Sequence, residues 1–390
     1  MPKIYIYADY AATTPVDPMV LKAMSPYFTT NFANTASLHT PGQTAAIALE
    51  SSRAVIAKLI GTDPSEIIFT GSATESNNLV LKSLAQTHQG GNIIVSSVEH
   101  DCILESARFL EKSGFSITYL PVNKYGLVEP QTLKDAITPK TVLVSIMHAN
   151  NEIGTINPIK ELATICHQNH ILFHTDASQT FGKLPIDVTD LNIDLLTASS
   201  HKIYGPKGAA LLYVKKGIYL TPLIHGGGHE RGLRSSTVNL PAIVGFTKAA
   251  SISVKKIPVE SPHLTKLRDH LIKGVLTSIP TASLTGHPQK RLPNLASFCF
   301  SHIEGESIVS LLDSYGIAVS TGSACSSPKL LPSHVLIACG LPQHQIHGSI
   351  RISLGRFTKK SDVDYIIKIL PLVVNRLNKI SPFTPNYVHA

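Results

Sequence analysis

Residues 159–179 read IKELATICHQNHILFHTDASQ, and this stretch decides the fold class of the chain. Apolar side chains recur at helical spacing over residues 159–169, and a short apolar run follows at residues 171–175. A helix that leads into a buried strand is typical of the crossover units of a parallel sheet. The strand ends at Asp176, on the edge of the sheet where α/β folds bind their ligands. The stretch therefore predicts both an architecture and the location of the functional site.

The same alternation repeats between residues 43 and 215. Further strands are predicted at residues 66–70, 92–97, 117–120, 141–147, 193–197 and 209–214. Further helices are predicted at residues 43–60, 75–87 and 101–112. Several strands are continuous runs of Ile, Val and Leu, which indicates that both of their faces are buried. We therefore expect an α/β fold in which helices sandwich a mostly parallel sheet.

The pattern changes after the glycine-rich residues 225–232. Helices are predicted at residues 240–253, 264–278 and 306–315 and from Ser361 onward, with a turn at Pro258 and Pro262 and a kink at Pro371. Strands are predicted at residues 295–300, 317–320 and 349–354. This mixture indicates a smaller α+β domain. We divide the chain into a large domain, residues 14–253, and a small domain, residues 254–390, on which residues 1–13 pack.

Composition excludes several classes of protein. Of the 390 residues, 43% are hydrophobic and 15% are charged, which rules out a disordered chain. No apolar run is long enough to span a bilayer, and residues 1–15 lack the pattern of a signal peptide, so we expect a soluble, cytoplasmic protein. The net charge of +8 is dispersed along a chain without Trp, which argues against direct nucleic-acid binding. The low charged fraction suggests that some surface is covered by a partner subunit.

The five cysteines indicate reduced thiols, because their number is odd and no CxxC pair occurs. Two groups of histidines could suggest a metal site. They are His167, His170 and His174, and His225 and His229. The first group spans a helix end and a strand, and three glycines interrupt the second, so neither presents a shared face. We predict no metal site.

Three segments at predicted strand ends could carry chemistry. Residues 70–78, TGSATESNN, open a helix and suit a phosphate, although an ordinary N-cap would look the same. Asp176 would be a desolvated carboxylate in need of a cation, such as a protonated pyridine nitrogen, or a simple helix cap. In residues 197–208, TASSHKIYGPKG, Lys202 lies nearer the sheet than Lys207 and could be a nucleophile rather than a surface lysine.

Two further segments lie in the C-terminal part. Residues 320–327, STGSACSS, place Cys325 among small residues in a predicted loop, where a thiol is reactive rather than structural. In residues 349–356, SIRISLGR, Arg351 and Ser353 share one strand face, and the guanidinium suits a substrate carboxylate or a surface ion pair.

Together these segments resemble the cysteine desulfurases of the pyridoxal-phosphate (PLP) class V aminotransferase-like superfamily. The resemblance runs from DYAATTP at residues 9–15 to Arg356. In family order the chain carries SATESNN, VEHD, NNEIG, DASQ, SSHKIYGPKG, HGGGHERGLRSST and GSACSS. The last of these is similar to the NifS/IscS group. The resemblance implies the PLP-transferase fold of type I.

The resemblance also implies a role for particular residues. Lys202 would hold PLP as a Schiff base and act in catalysis with His100, which would stack on the ring, and with Cys325, which would take the sulfur. The remaining cofactor-binding residues would be Ala73, Thr74, Asn151, Asp176, Gln179, Ser199, His201 and Thr237. Asp176 would pair with the pyridine nitrogen, and Thr237 would arrive from the other subunit of a homodimer. Asn151 and Arg351 would bind the substrate carboxylate.

The implied reaction converts L-cysteine to L-alanine and leaves a persulfide on the enzyme. The sulfur would serve iron–sulfur cluster assembly or tRNA thiolation through an acceptor protein that the residues leave open. Ser200 and Ser236 replace frequent glycines, residues 33–39 are atypical, and the tail after Ser381 is short and unlike a scaffold-docking tail. The alternatives are a related PLP-dependent lyase or aminotransferase, for example one similar to selenocysteine lyase, or a weakly catalytic sulfur-relay scaffold.

Overall fold

The computed structural model of the chain describes residues 5–322 and 332–381. Its strands are β1 (Ile6–Tyr7), β2 (Ile67–Thr70), β3 (Asn92–Ser96), β4 (Ser116–Leu120), β5 (Thr141–Ser145), β6 (Leu172–Asp176), β7 (Leu195–Ser199), β8 (Ala210–Val214), β9 (Ala282–Leu284), β10 (Leu295–Phe300), β11 (Ile317–Ala318) and β12 (Ser349–Ser353). Its α-helices are α1 (Pro18–Met24), α2 (Pro26–Thr29), α3 (Thr40–Ile60), α4 (Ala73–Thr87), α5 (Asp101–Lys112), α6 (Pro130–Ala136), α7 (Ile159–Gln168), α8 (Leu240–Ser278), α9 (Gly305–Ser314), α10 (His334–Ala338), α11 (Gln343–Ile346) and α12 (Lys360–Ile380).

The largest sheet has seven strands in the order β2-β8-β7-β6-β5-β3-β4. The pairs from β7 to β4 are parallel, and β8 runs antiparallel to both of its neighbours. Each of these strands lies where the sequence predicts one, within one or two residues. The prediction of an α/β fold with a mostly parallel sheet is confirmed.

Alternate side chains of these strands pack into two hydrophobic cores, one on each face of the sheet. Phe69 and Ile94 belong to a first core, to which α3, α7 and the N-terminal half of α8 contribute. Their neighbours Ile68 and Ile93 belong to another core, which α4 and α5 cover. Because successive strand side chains point to opposite faces, this division shows that helices cover both faces of the sheet.

A second, antiparallel sheet with the order β12-β10-β9 lies in the C-terminal part. Its side chains pack with α9, α12 and the C-terminal half of α8 in a core of their own. Strand β1 pairs with β11, so Ile6 and Ala8 contribute to this core. The division of the chain after residue 253 falls within α8 and stays a prediction.

Helix α8 corrects one sequence prediction, because a single helix of 39 residues replaces the two predicted helices and their turn. Pro258 and Pro262 lie inside it, although an interior proline costs ~3 kcal/mol or more. No residue from 254 to 263 is buried, so water can satisfy the carbonyls that the prolines leave without an N–H donor. Glu260 in the same stretch pairs with the Arg356 guanidinium at 2.6 Å. Burial of the two helix ends in different cores, with this anchor between them, keeps the helix continuous.

Helix α12 likewise continues across Pro371. Within the two described ranges, no helix combines the length and the apolar character that a bilayer span requires.

Candidate active site

A cavity of about 240 Å³ lies at the carboxyl ends of β6 and β7, beside the N-terminus of α4. Every predicted cofactor- and substrate-binding residue except Thr237 lines it, as do two of the predicted catalytic residues. These lining residues are Ala73, Thr74, His100, Asn151, Asp176, Gln179, Ser199, His201, Lys202 and Arg351. The structure thus brings together side chains that lie up to 278 residues apart in the sequence, Ala73 and Arg351 being the extremes.

Lys202 is half-buried and ends a 3-10 turn, residues 200–202, that follows β7. Its Nζ donates hydrogen bonds to the carbonyl oxygens of Ala11 and Ala12, at 2.6 and 2.7 Å. The turn requires Gly205, because a Cβ there would collide with Ser200 Oγ. The amine is therefore held at the cavity by a segment from the other end of the chain, whereas Lys207 in the same loop is exposed, as predicted.

Asp176 is the last residue of β6 and is buried. Its Oδ1 accepts the N–H of Ser178 at 2.8 Å, and its Oδ2 accepts Nδ2 of Asn77 at 2.7 Å. Behind it in the strand, His174 bonds to Ser145 and Thr197, and burial lowers the pKa of its imidazole to about 4. The carboxylate therefore has a donor on each oxygen, and burial favours the neutral form of the neighbouring His174.

The N-terminus of α4 forms the polar end of the cavity. Ser72 caps the helix by accepting the N–H of Glu75, which leaves Ala73 and Thr74 in the first turn. His201 lies nearby in the cavity wall, and burial together with Lys202 lowers the pKa of its imidazole to about 4. An imidazole and the N–H groups at the start of a helix suit a phosphate.

Two side chains at the other wall are fixed by long-range contacts. Arg351 is 1% exposed, and it donates to the carbonyl of Asn151 at 3.0 Å and to Asp9 Oδ1 at 2.9 Å. Gln179 donates to the carbonyl of Ala11 at 2.9 Å and accepts from Lys183 Nζ at 3.2 Å. Burial lowers the pKa of Lys183 to about 7, so a second amine with altered acidity stands behind the cavity.

Two predicted site residues lie elsewhere. Thr237 is exposed and lines a separate depression with Gly71, Glu230 and Arg234. Cys325 lies outside the described residues.

Sequence reasoning missed four side chains at this site, namely Asn77, Cys102, Ser178 and Lys183. Asn77 stands one turn into α4, within the quoted segment TGSATESNN, and its helical spacing from Ala73 could have signalled it. Cys102 follows His100 by two residues at the start of α5, and nothing in its neighbourhood distinguishes it from a core thiol.

The donor set of the cavity fits PLP. An amine, a buried carboxylate and a helix N-terminus match the aldehyde, the pyridine nitrogen and the phosphate of the cofactor. Ser178 Oγ and Arg351 Nε are buried at the cavity and have no hydrogen-bond partner among residues 5–322 and 332–381. Unsatisfied polar atoms at a cavity indicate a site for a polar ligand. The fold and the site together define a PLP-dependent enzyme of the aminotransferase type.

Comparison with known protein families agrees with this assignment to the PLP-dependent enzymes. The family described as aminotransferase class-V matches residues 6–366, and the chain belongs to it. A protein named cysteine desulfurase IscS from Methanosarcina thermophila is 49% identical over 382 residues, which cover 97% of this chain and 94% of the relative. The chain is therefore an IscS-type member of the cysteine desulfurases, and the expected resemblance is confirmed.

Two solved structures of related proteins are similar to this chain. A NifS-like protein matches with a TM-score of 0.91 at 39% identity, covering 96% of this chain and all of that one. A protein solved as SspA in complex with cysteine matches with a TM-score of 0.81 at 39% identity, covering 91% of this chain and all of that one. This likeness supports the type I PLP fold.

Proposed function

We propose that this chain converts L-cysteine to L-alanine with PLP held on Lys202 and passes the sulfur to Cys325 as a persulfide. The observation that carries the proposal is that Lys202, Asp176 and Arg351 meet at one cavity. Bound PLP supplies the electron sink for charge that develops at the substrate Cα. The chain's own residues supply position, charge and proton transfer.

Arg351 binds the substrate carboxylate. Its Nη2 bonds to Asp9 and its Nη1 to the carbonyl of Asn151, which leaves its buried Nε unpaired among the described residues. A guanidinium anchored on one side presents the other side in a fixed orientation. Asn151 thus acts on the substrate partly through Arg351.

Lys202 Nζ removes the proton from the substrate Cα. The carbonyls of Ala11 and Ala12 hold the amine at the cavity, and burial together with the nearby Lys202 lowers the pKa of Lys183 to about 7. Asp176 balances a proton on the pyridine nitrogen, since both of its oxygens accept N–H donors as a carboxylate must. His100 lines the cavity and serves as the acid that returns a proton.

The sulfur step needs no outside oxidant. The Cys325 thiolate attacks the substrate sulfur, so an S–S bond forms while the Cβ–S bond breaks. The substrate carbons keep the electron pair of the broken bond and gain a proton, which gives alanine. A thiol on an acceptor protein then takes the outer sulfur. An iron–sulfur scaffold and a tRNA-thiolation carrier are the two kinds of acceptor that we propose, and we place the reaction in the reducing cytoplasm, where the free thiols of the chain persist.

We expect the purified enzyme with L-cysteine and a thiol reductant to release alanine and sulfide in equal amounts. Both products would be measured in the same sample, with L-serine as the control substrate because it lacks the sulfur. Pyruvate in place of alanine would contradict the proposal, because it is the product of a lyase.

We also propose a homodimer whose subunits share their active sites. Large apolar side chains are exposed along residues 19–47, which form the N-terminal helices and their loops; they are Met19, Phe28, Phe32, Leu38 and Ile47. Their exposure within one segment suits a surface that a partner subunit covers. Thr237 is exposed and outside its own subunit's cavity, which suits a residue that reaches the cavity of a partner.

Light scattering is expected to give twice the 42.0 kDa mass of the chain. The double substitution Phe32→Asp/Leu38→Asp places charges among these exposed side chains and should yield monomer with weakened PLP binding. Val259→Asp is the matched control, since Val259 is an equally exposed apolar residue on α8. A wild-type monomer with full activity at the assay concentration would refute the shared site.

A further inference from the structure

We propose that Asn77 and Cys102 are positioning residues that join Asp176 to His100 and hold His100 in the tautomer that carries its proton on Nε2. The inference rests on the proposed roles of Asp176 and His100 at the cofactor. It adds two residues to the site, neither of which was expected from the sequence.

The amide of Asn77 is fixed by its surroundings. Asn77 is fully buried, and its Nδ2 lies 2.7 Å from Asp176 Oδ2 and 3.1 Å from Cys102 Sγ. An amide nitrogen carries two hydrogens, and these two acceptors use both of them. The Oδ1 atom has no partner in the described part of the chain, yet a flipped amide would set this oxygen against the carboxylate. The amide therefore donates to Asp176 and to the Cys102 sulfur.

The start of α5 fixes the orientation of the His100 ring. His100 caps α5, and its Nδ1 accepts the backbone N–H of Cys102 at 3.2 Å. Because a backbone N–H can only donate, Nδ1 must carry a lone pair, so the proton of the neutral ring resides on Nε2. The Cys102 sulfur also lies 3.2 Å from Nδ1, and its S–H can donate there.

Each contact between Asp176 and His100 has a defined donor. Asn77 donates to Asp176 and to the Cys102 sulfur, and the N–H and S–H groups of Cys102 share the single Nδ1 lone pair of His100. The neighbouring Glu99 is bonded elsewhere through its Oε1, which accepts from Ser96 Oγ and from the N–H of Met147. Cys102 is thus a link between two cofactor-contacting groups, and a serine, which also accepts and donates, can replace it.

The test compares Cys102→Ser, Cys102→Ala and Asn77→Leu in the holoenzyme. Nitrogen-15 NMR of labelled histidines, assigned with His100→Gln, should show Nε2 protonated and Nδ1 unprotonated in the wild type. Cys102→Ala should lower kcat about 3- to 10-fold with KM unchanged, the range that loss of one hydrogen bond gives, and Cys102→Ser should restore it. Asn77→Leu should weaken PLP binding to the apoenzyme about 10-fold or more, because Asp176 loses a charge-assisted donor.

Cys166→Ala is the control for loss of a buried thiol, and thermal melting checks that each variant folds. A His100 proton on Nδ1 would overturn the proposal. So would identical behaviour of Cys102→Ala and Cys102→Ser, or unchanged PLP affinity in a folded Asn77→Leu. Failure of the proposed function would appear separately, as a wild type that makes no alanine from cysteine while the tautomer and the PLP affinities still follow the expected pattern.

Discussion

Lys202→Ala is expected to abolish alanine formation and the visible absorbance of lysine-bound PLP. The substitution removes both the amine that holds the cofactor and the base that takes the Cα proton. Since a positioned base alone contributes roughly 10²–10⁴-fold, we expect a loss of more than about 10³-fold in kcat. Sulfide release and the absorbance spectrum are the measurements.

Lys207→Ala is the matched control, because Lys207 lies five residues later and is exposed. It should keep both activity and absorbance. Lys183 is a rival amine behind the cavity, where it donates to Gln179 and its pKa is lowered to about 7. Full activity in Lys202→Ala, with borohydride fixing PLP to Lys183, would show that the wrong lysine has been assigned.

Cys325→Ser should bind PLP normally and yet fail to accumulate persulfide or release sulfide. A serine hydroxyl cannot take a sulfur atom by thiol exchange. Attack requires a thiolate, and a thiol of ordinary pKa, ~8.5, supplies one near neutral pH only in part. We expect the loss to match that of Lys202→Ala, with mass spectrometry of the Cys325 peptide as the direct readout of persulfide.

The other cysteines serve as controls, and the structure explains why their substitution should change activity little. Burial raises the pKa of Cys166, Cys299 and Cys339 to about 12, so these thiols stay protonated. Cys102 contacts Asn77 and His100, roles that a serine can fill. Each Cys→Ser change at these four positions should retain most activity. If Cys325→Ser kept wild-type sulfide release while one of the four lost it, the sulfur acceptor would lie elsewhere.

Much of the candidate site could be located from the sequence because several of its residues lie at the ends of strands. Asp176 and Ser199 end β6 and β7, and the sequence places the ends of these two strands within one or two residues of them. Lys202 follows three residues later. The roles proposed for His100 and Gln179 come from the family motifs, because residue patterns alone leave them open.

The prediction failed where a local rule was outweighed by tertiary structure. Two prolines normally end a helix, yet α8 runs through both. The periodicity correctly predicted helix over residues 240–253 and 264–278. It gave no information on the tertiary contacts of residues 254–263, which lie between these two segments. Arg356 with Glu260, and Ser261 Oγ with the carbonyl of Lys183 at 2.6 Å, hold the exposed middle of the helix in place.

The sequence by itself determined the α/β architecture, the strands of the main sheet and the edge that carries the site. These features depend on the periodicity of side chains within about ten residues, which any window of the chain displays. Only the tertiary structure decided that Lys202 meets the carbonyls of Ala11 and Ala12, that Arg351 rests on Asp9, and that Asn77 and Cys102 connect Asp176 with His100. Each of these contacts joins groups that separate parts of the chain bring together, because its geometry depends on how those parts pack rather than on the neighbouring residues in the sequence.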